Sequence, residues 1–458
     1  MRRLMPLVTG ALVFAAVPAA AQQDAVAALK PAADRLIDAA LADTAAWERL
    51  TYFVDRFGSR FSGSASLEAA HDWILSEAAR DGLENVRGEP VMVPHWVRGE
   101  ESAVLIEPRR QELPMLGLGG SIATPPEGVT AEVLVVSSFE ELEQRAADAR
   151  DRIVLFDVPF TTYGETVRYR SQGAIAAGRV GAVASLIRSV TPYSMKTPHT
   201  GGMSYSDDVP RIPHAAITVE DAAMLHRMQE RGERIVVTLR MSAQVQPDAP
   251  SKNVIAELRG REFPDEVVVL GGHTDSWDVG QGAMDDAGGV IAAWEAVRLM
   301  QELGLRPRRT VRFVGWTNEE NGLRGATAYR DAHMDELDDH VLAIESDAGV
   351  FKPLGYGFTG SDDAFAILTE VGRLLERIDA GDIQRGGGGA DIGPIMRLGV
   401  PGMGLNVEGS RYFWYHHTDA DTIDKLDMRE FLECVASLAV VAYVVAELPE
   451  PLPRAAPE

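Results

Sequence analysis

Cysteine is nearly absent from this chain of 458 residues: Cys434 stands alone, so an intrachain disulfide is excluded. Its place in an apolar helical run predicts a buried, inert thiol. Basic residues are also scarce, 44 Lys and Arg against 68 Asp and Glu, and the formal net charge is −24. Such a field repels phosphate backbones and anionic headgroups, which argues against nucleic acid as a partner. No uninterrupted apolar run is suited to stable membrane insertion. The run CVASLAVVAYVVA follows Arg429, Glu430 and Glu433 in its helix over 427–447 and reads as a core element. The opening MRRLMPLVTGALVFAAVPAAAQQ is broken by Pro6, Gly10 and Pro18. No internal repeat is found.

What is present is ordinary globular material. Hydrophobic residues make up 46% and charged residues 24%, close to average usage, and the length predicts two or three domains. Residues 1–21 read as a signal peptide, with Arg2 and Arg3 ahead of the apolar run and Ala19, Ala20 and Ala21 at the cleavage site. The protein is expected to be exported, to a periplasm or the medium. Apolar residues at helical spacing predict two helices, over 24–56 and 65–83. From about Val91 the runs SAVLIEP, AEVLVVSS, RIVLFDVPF and IVVTLRM read as strands. They are interleaved with helices over 171–189 and 218–232, and QVQPDAPSKN (244–253) reads as an exit linker. From Asn253 strand and helix alternate, the mark of a mostly parallel sheet with helices on both faces. Residues 448–458 read as a frayed tail.

Acids and histidines gather at the predicted strand ends, where open α/β sheets carry their sites. His273 and Asp275 follow EVVVLGG, Glu319 and Glu320 follow VRFVGWTN, Asp347 follows VLAIES, and His416 and His417 follow GLNVEGSRYFWY. Each group alone has a plain reading. Asp285 and Asp286 suit a helix N-terminus, worth about 1 kcal/mol. Glu319 and Glu320 suit a solvated loop, and the His pair a capped helix entrance. Together, uncompensated, such groups would cost several kcal/mol. Divalent cations remove that cost, and carboxylates with imidazoles and no thiolate suit zinc, manganese or cobalt, more naturally as a two-metal centre.

The ordered set H-x-D, G-x-x-D, E-E-x-G-L-x-G, a strand ending in Asp and H-T-x-x-D-T resembles the M28 family of zinc metallopeptidases. GGHTDSWDVGQGAMDDAGG, ESDAG, GGGGADIGP and YFWYHHTDADT are similar to its plasma glutamate carboxypeptidase (carboxypeptidase Q) branch. The resemblance spans roughly 250 to 447. It implies a discontinuous peptidase domain over 22–100 and 246–447, with a small mixed α/β protease-associated-like domain inserted at 101–245. It also implies two zinc ions per chain, one held by His273 and Asp347, the other by Glu320 and His417, with Asp285 bridging. Glu319 is then the general base, and Asp275 stands behind His273, fixing its ring tautomer. Glycines in RGGGGADIGP (385–394) are read as a loop lining the substrate pocket. The implied activity is hydrolysis of dipeptides or short peptides with free ends, and a homodimer is implied as well. Competing readings are an aminopeptidase for longer peptides, a non-catalytic receptor-like protein on the same fold, and a single-zinc aminoacyl cyclase.

Overall fold

The computed structural model describes residues 19–455; residues 1–18, most of the expected signal peptide, lie outside them. Four helices open the described chain, Ala19–Ala28, Lys30–Ala42, Thr44–Phe57 and Ala65–Arg80. The single helix expected over 24–56 is therefore three. Pro31 sits in the first turn of the second, where a missing N–H costs nothing. Asp43 caps the third by accepting from the Ala45 N–H.

Strand β1 (Glu84–Val97) leads away from these helices into β2 (Glu101–Glu107), β3 (Gln111–Leu113), β4 (Met115–Gly117), β5 (Val129–Val136), β6 (Ile153–Phe156), β7 (Ala184–Arg188), β8 (His214–Ile217) and β9 (Val236–Met241). Strands β2 to β9 form one eight-stranded sheet in the order β3-β2-β9-β5-β6-β7-β8-β4. Two readings are corrected here. The segment 171–189 is not one helix: a helix runs Tyr163–Arg179, started by the Thr162 side chain accepting from Glu165. It is followed by Gly181 at φ 84°, where glycine turns the chain out of a helix, and β7 follows. Nor is 244–253 a linker. It lies within β10 (Gln244–Leu258), which pairs antiparallel with β1 from Glu84 to Val97. Along 244–250 the opposite edge of β10 pairs with no strand, which is where Pro247 and Pro250 are tolerated in a sheet.

The ribbon of β1 and β10 joins the second sheet, completed by β11 (Phe263–His273), β12 (Arg309–Trp316), β13 (His340–Glu345), β14 (Pro353–Thr359), β15 (Asp382–Arg385) and β16 (Gly402–Val407). Its order is β1-β10-β12-β11-β13-β16-β14-β15. The centre, β12-β11-β13-β16, is parallel, and antiparallel pairs flank it. Helices cover its faces, as alternating β and α runs require. Among them, Met428–Glu447 is buried from Phe431 to Ala446. No helix among the described residues is long and apolar enough to cross a membrane. Cys434 is buried in this helix against the Phe351 carbonyl. The tail is not frayed where it is described: Leu448 and Leu452 are buried, and Arg309, Ser361 and Arg454 bond the segment to the core. Apolar residues after the helix give the chain surface to bury, which its Pro and Ala content concealed.

Trp294, in helix Gly288–Glu302, is fully buried between Phe313, the edge of Trp73 and the Arg49 guanidinium. It ties the opening helices to the sheet. Trp294→Ala is expected to destabilise the protein by about 3–5 kcal/mol, seen as a lowered thermal midpoint with the same wild-type spectrum before melting. A midpoint within a degree of wild type would show that the opening helices do not depend on this contact.

Candidate metal centre

The carboxyl ends of β11, β12 and β13 finish nearly level, His273 beside Trp316 and Gly271 beside Glu345. Loops leaving these ends therefore meet over one edge of the sheet. His273 closes β11, Glu319 and Glu320 follow β12, and Asp347 follows β13. His417 arrives by the loop after β16, with φ 60°. Asp285 comes from a one-turn segment, Ala283–Ala287, just before helix Gly288–Glu302.

The structure brings these side chains together. His273 Nε2 lies 3.2 Å from Asp285 Oδ1 and 3.4 Å from Asp347 Oδ1. His417 Nε2 lies 3.3 Å from Asp285 Oδ2 and 3.1 Å from Glu320 Oε2. One carboxylate thus faces two separate groups, one through each oxygen. Despite the short distances, His273 Nε2 and Asp285 Oδ2 are buried without a hydrogen bond of acceptable geometry, and the other oxygen of Glu320, Oε1, is buried with no partner. Atoms that converge while bonding to nothing around them are what a cation site leaves in a protein frame. The donor set of imidazole and carboxylate fits zinc.

Electrostatics point the same way. Burial pushes the Glu319 carboxyl well above its usual range, aided by Asp347 and Glu320. It lifts Glu320 to about 7, with Asp285 adding to the shift. Burial opposes charge on His417, but Glu320 and Asp285 outweigh it and raise the imidazole to about 9. Burial likewise opposes charge on Asp285, yet His273 and His417 hold its carboxyl well below the usual range. The cluster demands positive charge.

Backbone positions are fixed by a second set of acids. Asp286 does not face the imidazoles; it accepts from the N–H groups of His273 and Gly289. A Cβ at Gly272 or Gly289 would collide with this carboxylate, so both glycines are required by its seat. Asp421 accepts from Ala283, Met284 and Asp285. Asp275 accepts from Glu319 at 3.1 Å and Glu320 at 3.3 Å. Asp275 meets the His273 ring through its main chain, not its side chain. The Asp275 backbone carbonyl takes Nδ1 at 2.9 Å, while the carboxylate stands 3.8 Å away.

His416 stacks on His417 with centroids 3.4 Å apart and reaches Asp285 at 3.7 Å, but Glu320 touches only His417 among these two. Other partners carry no signal in the sequence. The His417 Nδ1 faces the Thr200 carbonyl at 3.3 Å, a partner from between β7 and β8. Arg60 is fully buried and donates to the carbonyls of Gly58, Thr274, Gln281 and Gly282. Nothing local in the sequence marks these distant partners. The glycine loop 386–389 does not line the cavity beside Asp347; that cavity, about 550 Å³, is lined by Tyr163, Asp382, Gln384, Tyr412 and Phe413 among others. Gly389 instead packs on Glu345, leaving no room for a Cβ.

The model of peptidase family M28 matches residues 253–442, which contain every acid and imidazole of the centre. The carboxypeptidase Q of Xenopus laevis is 51% identical over 432 residues, covering 94% of this chain and 92% of that protein. The human carboxypeptidase Q is 50% identical over 413 residues, 90% of this chain and 88% of its own. The chain belongs to peptidase family M28. It is a zinc metallopeptidase. The solved structure of an M28 peptidase precursor from Shewanella amazonensis superposes with a TM-score of 0.90 at 33% identity, covering 95% of this chain and all of that one. Coverage this complete takes in the β2–β9 sheet as well as the M28 segment.

Asp421 supports the turn that carries Asp285. Asp421→Ala strands three buried N–H groups and should weaken zinc binding about 10- to 100-fold. Competition between the metal-free protein and a chromophoric chelator measures this. An unchanged affinity would mean that Asp285 is held without the clasp.

Proposed function

We propose that this chain is an exported di-zinc exopeptidase that hydrolyses dipeptides or short peptides with free ends. The observation that carries the reading is the Asp285 carboxylate, whose Oδ1 faces His273 and whose Oδ2 faces His417. His273 and Asp347 would hold one ion, Glu320 and His417 the other, and Asp285 would bridge. Bound zinc supplies Lewis-acid polarisation of a carbonyl and water that is nucleophilic at neutral pH.

The remaining work falls to the protein. Glu319, unlike Glu320, pairs with neither imidazole among the described residues; it takes the proton of the attacking water, then gives it to the leaving nitrogen. Burial among other acids keeps its proton affinity high, which suits a group that must both accept and return a proton. Asp275 sets the Glu319 and Glu320 backbone and acts as a positioning residue. Cavities of about 550 Å³ beside Asp347 and about 520 Å³ beside Glu319 flank the centre. Their size suits small ligands, in keeping with short peptides. The preference of the curated relatives for carboxypeptidase chemistry, given by their name, favours substrates with a free end. For the domain plan, we read 22–100 and 246–447 as one discontinuous peptidase unit and 101–245 as a protease-associated-like insert; every strand of the β2–β9 sheet falls inside that interval. Export rests on the leader-like residues 1–21.

Elemental analysis of the mature protein should give about two zinc ions per chain, and a chelator should abolish cleavage of an unblocked dipeptide. Absence of metal, with no activity restored by zinc, would overturn the reading. Glu319→Gln should keep both ions and lower kcat by about 10²- to 10⁴-fold. Loss of metal in this variant would mean that base and ligand are exchanged between Glu319 and Glu320.

A further inference from the structure

The residues of the β2–β9 region nearest the centre include an arginine with no acid. Arg170, buried in helix Tyr163–Arg179, forms no ion pair among the described residues. Its Nε donates to the Gly202 carbonyl at 3.3 Å and its Nη2 to the Tyr163 hydroxyl at 2.7 Å. Nη1 stands 3.5 Å from His417 Nδ1. Tyr163 opens this helix, stacks on Phe413 at 5.1 Å and meets the edge of His416 at 5.3 Å. It lines the same cavity as Asp347 and His416.

A phenol has one proton to give and two lone pairs. Arg170 occupies a lone pair, which leaves the Tyr163 proton free, and no acceptor for it is found among the described residues. A guanidinium on the oxygen also makes the O–H a stronger donor. We propose that Tyr163 is a catalytic residue that donates a hydrogen bond to the peptide carbonyl oxygen as negative charge develops on it, with Arg170 as its positioning residue. This rests on the peptidase reading given above. The water oxygen bonds to the carbonyl carbon while the C=O π pair moves onto oxygen. Tyr163 stabilises that oxygen and keeps its own proton. The pair then returns, the C–N bond breaks, and the nitrogen takes the proton held by Glu319. Burial is the largest influence on the phenol and keeps it protonated at neutral pH, although Arg170 works in the opposite direction. Tyr412 shares the cavity, but its ring lies tilted on His416 and nothing among the described residues donates to its oxygen.

The test compares wild type, Tyr163→Phe and Arg170→Met by dipeptide hydrolysis, zinc content and calorimetric binding of two probes. One probe is a phosphinic dipeptide analogue, tetrahedral and anionic; the other is a non-hydrolysable analogue with a planar ketomethylene group. Tyr163→Phe should retain its zinc, lose about 10²- to 10³-fold in kcat at a KM within threefold of wild type, and bind the phosphinate less tightly while holding the planar analogue unchanged. Arg170→Met, with the phenol still present, should lose less kcat with the same split. A kcat within threefold for Tyr163→Phe, a rise in KM alone, or equal weakening of both probes would overturn the proposal. A wild-type protein without zinc-dependent hydrolysis would overturn the peptidase reading and this step with it; an active wild type beside an unaffected Tyr163→Phe overturns this step only.

Discussion

Burying many carboxylates at one edge of a sheet is unfavourable, and the rest of the molecule is arranged around how they are held. Three of them, Asp275, Asp286 and Asp421, spend their oxygens on backbone N–H groups. In doing so they fix the main chain at His273, at Asp285 and at the Glu319–Glu320 pair. These N–H bonds favour the anion against burial, which still pushes Asp421 up to about 7 and Asp286 well above the usual range, and they stiffen the loops that supply them. Arg60 completes the frame from the opposite polarity, binding carbonyls of the glycine-rich turn and bringing positive charge close to Asp421 and Asp275. The loops that present the site are therefore internally cross-linked rather than loose.

The second sheet contributes to the same frame. The β1 and β10 ribbon carries the chain out and back along one continuous ladder. Arg98, just past the end of β1, pairs with Asp278 in the loop after β11, and a Cβ at Gly119 would collide with Trp277. The loop between β7 and β8 then reaches His417, through the Thr200 carbonyl on its ring and the Thr200 N–H on its backbone carbonyl. A ring whose Nδ1–H is given to a carbonyl would offer Nε2 as a lone pair to a cation. His273 obtains the same result from within its own loop, by the Asp275 carbonyl. Two imidazoles, oriented alike, thus depend on different parts of the chain.

Much of this was legible in the sequence because the signals were periodic or punctuated. Alternating apolar runs and helices gave the parallel centre of the sheet, and acids following each strand gave the edge where the site lies. What stayed illegible depended on tertiary partners. The segment 244–253 looked like a linker because its prolines and polar residues carry no strand pattern; pairing with β1 decides its conformation. The helix and strand merged over 171–189 share small apolar residues, and only Gly181 marks their junction. Thr200, Arg170 and Arg60 lie far from the motif residues in sequence, so no spacing rule reaches them. Asp275 illustrates a subtler limit: spacing places it beside His273, whose ring its carbonyl meets, but nothing in that spacing shows that its carboxylate serves a loop 44 residues further along.

Hydrogen bonding sets Asp285 and Glu320 apart from the three acids that clasp the backbone. Asp275, Asp286 and Asp421 have their oxygens engaged by backbone donors, and the oxygens so engaged have less left to offer a cation. Asp285 and Glu320 each keep a buried oxygen with no partner, beside an imidazole whose other nitrogen is already committed. An unpartnered buried carboxylate oxygen is costly, and several converging on one point share a single remedy in positive charge. Glu319 differs from both classes. Its backbone is clasped by Asp275 and its side chain borders the cavity next to the centre, so it is fixed in place yet open to what enters. The adjacent glutamates share that cavity and differ in one contact: Glu320 meets the His417 ring, and Glu319 pairs with no imidazole among the described residues.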